Sequence, residues 1–138
     1  MVCLIIVDSN VWVFLNVENY PEHDAAINAV KTASSVGMVT NVIIGSEVFH
    51  TLSAILGKGE ARLRMEKLID SESVVFVPID SPTLRRAIAL AERSEIRIND
   101  AVIAQQALEM GIPLLTDNVK DFKKVHGLKI VPLRGRDA

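Results

Sequence analysis

Four acidic residues, Asp8, Glu47, Asp100 and Asp117, stand far apart in the chain, and each falls where a strand pattern has just ended or a helix pattern is starting. In open α/β sheets, ligands bind beyond the carboxyl ends of the strands, because loops and helix N-termini converge there. Taken singly, each acid has an ordinary role. Asp8 in "DSN" reads as a turn residue, Asp100 and Asp117 as helix caps, and Glu47 as a solvated helix residue. Taken together at one sheet edge, they would raise one another's pKa and destabilise the fold unless a cation neutralises them. Carboxylates beside Asn and Ser, without clustered His or Cys, suit a hard cation, Mg²⁺ or Mn²⁺, rather than zinc. His23, His50 and His126 show no ligand spacing with one another. A cation held by acids lowers the pKa of a bound water, orients it and neutralises charge on a phosphodiester. Phosphoryl transfer is therefore the chemistry to which this constellation points, by a one-metal or a two-metal scheme.

The elements that must position these acids are legible as patterns. "VCLIIV" (2–7) is a continuous apolar run of the kind buried on both faces of a parallel sheet, and it stops at Asp8. "DSN" reads as a turn. Pro21 suits the first turn of a helix in which Ala26, Ile27 and Val30 recur at helical spacing, with Gly37 closing the unit. "MVTN" (38–41) is a short strand, followed by a helix whose core face is Ile44, Val48, Leu52 and Ile55 and which carries Glu47. A charged helix, "EARLRMEKLI", precedes the strand run "VVFVPI" (74–79). Helices near 82–93 and 100–110, the strand "IPLLT", a basic turn "NVKDFKKV" and a last strand "LKIVPL" complete the chain. Strands alternating with helices predict a three-layer α/β fold with a mainly parallel central sheet, as one domain over 1–138.

Bulk properties narrow the functional class. A chain of 138 residues buries roughly two thirds of its unfolded surface without disulfides or structural metal. Its net charge of −2 gives no global attraction for nucleic acid or membranes, so such binding needs a local cationic strip. Two clusters qualify: Arg85, Arg86, Arg93 and Arg97, and Lys120, Lys123 and Lys124. Cys3 is the only cysteine and is expected to be a buried, inert thiol. The opening apolar run is too short for a signal peptide and nothing approaches 20 apolar residues, so a cytoplasmic protein without membrane spans is expected.

Four stretches, "LIIVDSNVWVFL", "GSEVFHTLSAIL", "RINDAVIAQQALEMGIPLLTDNVKDF" and "LKIVPL", resemble the successive acidic motifs of PIN-domain ribonucleases, particularly the small VapC-like toxins of prokaryotic toxin–antitoxin pairs. The resemblance implies a PIN-like parallel sheet flanked by helices, Mg²⁺ or Mn²⁺ bound by Asp8 and Asp100, and Glu47 completing the acidic cluster. Where the family often has an acid two residues after the Thr, counted here from Thr116, this chain has Asn118. Asp117 is assigned as the fourth acid, with Asn118 and Asp121 as alternatives. Asp100 is read as a ligand at a helix N-terminus, where the dipole favours an anion, and Asn99 as the cap of that helix. Ser9 and Asn10 would position Asp8 or cap the turn after it.

The expected activity is metal-dependent endoribonucleolytic cleavage leaving 5′-phosphate and 3′-hydroxyl ends, with Arg85, Arg86, Arg93, Arg97 and Lys120 to Lys124 along the RNA backbone. The resemblance also implies a homodimer and a small antitoxin partner. Two alternatives compete: a catalytically silent PIN-like module that binds RNA or protein, and a haloacid-dehalogenase-like phosphatase. The phosphatase would need an acid where Asn10 stands.

Overall fold

Short β-branched and leucine-rich runs form five strands, and the longer amphipathic stretches between them form helices. The computed structural model describes residues 3–134; Val2, in the expected first strand, lies outside them. The order is β1 (Ile5–Val7), α1 (Ser9–Asn16), α2 (His23–Ser34), β2 (Met38–Thr40), α3 (Val42–Leu56) and α4 (Lys58–Asp70). It continues with β3 (Val74–Phe76), α5 (Ser81–Ser94), α6 (Ile98–Met110), β4 (Leu114–Thr116), α7 (Val119–Phe122) and β5 (Ile130–Pro132). All strand pairings are parallel, in the order β3-β2-β1-β4-β5. Parallel neighbours cannot be joined by a tight hairpin, so the helices serve as crossovers and cover the sheet.

This strand order decides where the site lies. The chain leaves β1 toward β2 and leaves β4 toward β5, so connections from the adjacent strands β1 and β4 run in opposite directions. That divergence opens a crevice at their carboxyl ends. Asp8 follows β1 directly, and Thr116 ends β4. Beneath them Ile6, Val7, Val39 and Leu114 are completely buried.

Helix α6 is buried from Asp100 through Ala107 without interruption, which explains why its sequence shows no polar face. Its alanines at 101, 104 and 107 let it pack closely among its neighbours. Gly111 ends it in the left-handed conformation at φ 67°, which glycine adopts without a Cβ penalty. Helix α5 begins with Asp80 accepting from the Thr83 amide at 3.0 Å and Pro82 in its first turn.

Several expectations need correction. Residues 9–16 form a helix rather than a turn, with Val11 and Trp12 buried. Cys3 is exposed, because strand pairing starts only at Ile5 and leaves the thiol outside the sheet. Pro21 precedes α2, which starts at His23. Ile55 is 41% exposed, since α3 buries Ile44, Val48 and Leu52 and then nears its end at Gly57. The expected basic turn contains the short helix α7.

One buried polar connection fixes the two acid-bearing helices relative to each other. Asn41, completely buried, caps α3 by accepting from the Ile44 amide at 2.9 Å. Its Nδ2 donates to Gln106 Oε1 on α6 at 2.8 Å, and Gln106 Nε2 donates to the Val77 carbonyl at 3.2 Å. Removing one partner of a buried pair exposes the other to the full desolvation penalty. Asn41→Ala is therefore expected to destabilise the protein by about 2–3 kcal/mol, combining a lost cap with an unsatisfied Gln106 amide. Urea denaturation monitored by circular dichroism measures this; a loss below about 1 kcal/mol would mean that the network does not hold α3 to α6.

Candidate functional site

Asp8 is fixed from both adjacent strands. Its amide donates to the Leu115 carbonyl at 2.9 Å, continuing the β1–β4 pairing, and its Oδ1 accepts from the Ser9 amide at 2.8 Å at the start of α1. Its Oδ2 accepts from the Thr116 hydroxyl at 2.7 Å and from Asn10 Nδ2 at 3.4 Å. The Thr116 oxygen also accepts from the Asn118 amide at 2.9 Å, which leaves its single proton for Asp8. Even with these donors, Asp8 is only 3% exposed, and burial raises its pKa to about 6; the nearby charges of Asp100 and Glu47 add to the rise.

Asp100 sits in the first turn of α6 and is 4% exposed. Burial is again the main cause of its raised pKa, opposed by Arg97 and reinforced by Glu47 and Asp121. Glu47 reaches the same region from α3. Its Oε1 accepts from Ser9 Oγ at 3.1 Å, and its Oε2 from Asn99 Nδ2 at 3.2 Å and Arg97 Nη2 at 3.3 Å. The Arg97 guanidinium also donates to both Asp100 oxygens, through Nη2 at 3.2 Å and Nε at 3.4 Å.

The structure thus brings Asp8, Glu47 and Asp100 into one mutually repelling group. It holds Asp117 differently. Both Asp117 oxygens accept from Arg134, each at 2.9 Å, and Arg134 also pairs with Glu22 at 3.2 Å. Asp117 contributes to the site through its backbone, donating to Asn10 Oδ1 at 3.2 Å. The acid whose charge reaches Asp100 from this turn is Asp121, which also lies 3.8 Å from Lys124.

Three residues have roles that the sequence reading did not give them. Asn99 lies inside α6 and donates to Glu47, while Arg97 takes the N-cap position. Arg97 turns inward onto the acids instead of lying free on a cationic strip. Thr116 supplies the shortest side-chain hydrogen bond to Asp8; its signal was a hydroxyl at the end of a buried strand.

A family model described as "PIN domain" matches residues 5–128. The chain belongs to the PIN domain family. Ribonuclease VapC1 of Rickettsia felis is 41% identical to it over 46 residues, a stretch that covers 33% of this chain and 34% of that relative. Among solved structures, Mycobacterium tuberculosis VapC20, a Sarcin-Ricin loop cleaving toxin, superposes with a TM-score of 0.78 at 16% identity, covering 93% of this chain and 99% of that one. Rickettsia felis VapBC2, bound to a DNA fragment from its promoter, gives 0.75 at 18% identity, covering 94% and 98%. At these identities the likenesses show a shared PIN fold.

The donor chemistry of this PIN domain suits a hard divalent cation. The acids present only oxygen, and burial and mutual repulsion raise the pKa of both Asp8 and Asp100, a strain that a cation relieves. Among the described residues no three Asp, Glu, His or Cys side chains already converge as a ligand set, and the Arg97 guanidinium bridges Glu47 and Asp100.

A pH dependence follows from Asp8. Its folded pKa lies above the ordinary value of 3.8, so its favourable contribution is present below pH 4 and is lost as pH rises through about 6. In EDTA, Asp8→Asn is expected to be more stable than the parent at pH 7.5 by about 1–3 kcal/mol, an advantage that shrinks as pH falls below 6. Thermal melts of both proteins between pH 4.5 and 8 test this. An advantage that does not vary with pH would sink the assignment.

Proposed function

We propose that this PIN domain, acting as one domain over 1–138, is a Mg²⁺- or Mn²⁺-dependent endoribonuclease in the cytoplasm and the toxin of a VapBC-type pair. The observation that carries this reading is the joining of Asp8, Glu47 and Asp100, from three different elements, at the crevice between β1 and β4 of a PIN fold. The names of its relatives, a ribonuclease, a cleaving toxin and VapBC complexes, support the substrate class and an antitoxin partner.

Asp8 and Asp100 would hold the cation, with Glu47 completing the acidic group and Asp121 adding a fourth negative charge. When bound, a divalent cation activates water and neutralises charge on the scissile phosphodiester. The chain's own contribution is orientation. Thr116, Asn10 and the Ser9 amide fix the Asp8 carboxylate, and Ser9 and Asn99 fix that of Glu47. The resulting hydrolysis leaves 5′-phosphate and 3′-hydroxyl ends and does not involve the RNA 2′-hydroxyl.

The cations available for the RNA backbone are fewer than the sequence suggests. Arg86 is tied to Glu109 at 2.6 Å and Arg97 to the acids, whereas Arg85, Arg93, Lys120 and Lys123 make no ion pair among the described residues. Exposed apolar side chains, Val42 and Phe49 on α3 and Leu84 and Ile88 on α5, supply surface for a homodimer.

End-labelled tRNA, rRNA and mRNA fragments, incubated with Mn²⁺ or EDTA, test the reading. Cleavage is expected to require the metal and to fall in Asp100→Asn by more than the roughly 10–100-fold typical of outer-shell changes. Asp121→Asn is expected to cost more activity than Asp117→Asn, whose main effect is on stability through Arg134. Metal-independent cleavage, or an Asp100→Asn protein as active as the parent, would remove the acidic group from the reaction. Absence of cleavage by the parent despite metal binding would favour the silent binding module.

A further inference from the structure

A residue that offsets part of the acids' charge belongs to this chain. Arg97 Nη2 donates to Glu47 Oε2 at 3.3 Å and to Asp100 Oδ1 at 3.2 Å, so one nitrogen bridges carboxylates carried by α3 and α6. Among the described residues no other cation forms an ion pair with Asp8, Glu47 or Asp100.

Three features make this an exchangeable arrangement. The Arg97 side chain is 67% exposed, although Glu47 and Asp100 are 20% and 5% exposed, so the guanidinium approaches from the solvent side and can return to it. Arg97 stands at the N-cap with extended backbone, φ −61° and ψ 148°, and makes no side-chain cap bond that leaving would break. The oxygens it occupies belong to the residues that would face a cation, and one lone pair cannot serve both.

We infer that Arg97 is an internal counter-cation that competes with the divalent metal for Glu47 and Asp100, holding these two carboxylates partly neutralised until the metal displaces it. This inference rests on the metal-dependent reading of the same site. It sets a threshold. A ligand whose binding-competent state is only partly populated binds more weakly in proportion to that fraction, so Arg97 in its inward position lowers the apparent metal affinity. Displacement also frees a guanidinium at the mouth of the site.

The test is isothermal titration of Mn²⁺ into the metal-free full chain, with no RNA, for the parent, Arg97→Gln, Arg97→Lys and Arg62→Gln. Arg62 lies on α4 paired with Glu66, and its replacement makes the same change in net charge away from the site. Arg97→Gln is expected to bind Mn²⁺ about tenfold more tightly than the parent, as for a state populated in about a tenth of molecules becoming dominant. Arg97→Lys, which cannot reproduce the bridge, should be tighter by severalfold, and Arg62→Gln unchanged. In EDTA, Arg97→Gln should melt lower than the parent and gain more from added Mn²⁺.

Equal or weaker Mn²⁺ binding by both Arg97 variants, with the parent binding normally, would overturn the inference and leave the nuclease reading standing. A tightening matched by Arg62→Gln would reduce the effect to overall charge and would overturn it too. If neither the parent nor any variant binds Mn²⁺, the metal-dependent reading fails and this inference fails with it.

Discussion

Carboxylates that repel one another are held in a buried group at the end of a parallel sheet, and much of the structure exists to keep them there. Asp8 and Asp100 are 3% and 4% exposed; the charges of Asp100 and Glu47 raise the pKa of Asp8, and those of Glu47 and Asp121 raise that of Asp100. An arrangement of this kind relaxes by moving apart unless its supports are stiffer than the repulsion is strong. The supports are apolar: Ile6 and Val7 beneath Asp8, and Ala101, Ile103 and Ala104 behind Asp100, all completely buried. Interiors packed to crystal-like density transmit strain instead of absorbing it, so the acids stay where the core puts them.

Helix ends moderate the cost. Asp8 caps α1 and Asp100 lies in the first turn of α6, where unsatisfied amides and the helix dipole favour negative charge. Glu47 stands farther along α3 and depends on side chains, Ser9, Asn99 and Arg97. Longer connections then fix the helices. Asn41 and Gln106 join α3 to α6, while Glu109, receiving Thr83, Arg86 and Gln105, joins α6 to α5 and has its pKa lowered to about 2 by those partners. The second cluster is largely solvent-screened, so its geometry matters more than its energy.

The parts of this design that repeat with a period were readable in the chain. Continuous β-branched runs gave the strands, three-and-four spacing gave α3, and an acid directly after a strand gave Asp8. Asp100 was readable because it opens a helix with no polar face. Features set by a single bond rotation in a turn were not. Asp117 and Asp121 are four residues apart, one in the turn after β4 and the other in α7. What separates them is Arg134, which follows β5 and takes both oxygens of Asp117. Asn99 failed as a cap for a similar reason: the helix starts two residues earlier, at Ile98, and that turn of backbone points its amide at Glu47. No local pattern announces a partner from α3.

Charge accounting gives the site a direction. A chain with net charge −2 that concentrates three acids at one crevice would repel a polyanion there, and the nearest guanidinium is already committed to those acids. On the proposed reading, attraction of a phosphate backbone would therefore come from cations outside the acidic group, such as Lys120 on α7, the helix that follows β4, and would weaken as salt rises. A divalent ion in the place of Arg97 would lessen the negative charge of the three acids without reversing it. On the proposed reading, substrate and metal would be coupled by electrostatics: a phosphodiester at the crevice would favour the ion, and the ion the phosphodiester, by the same free energy. Arg97, released in that exchange, is positive charge regained at the place where it was missing.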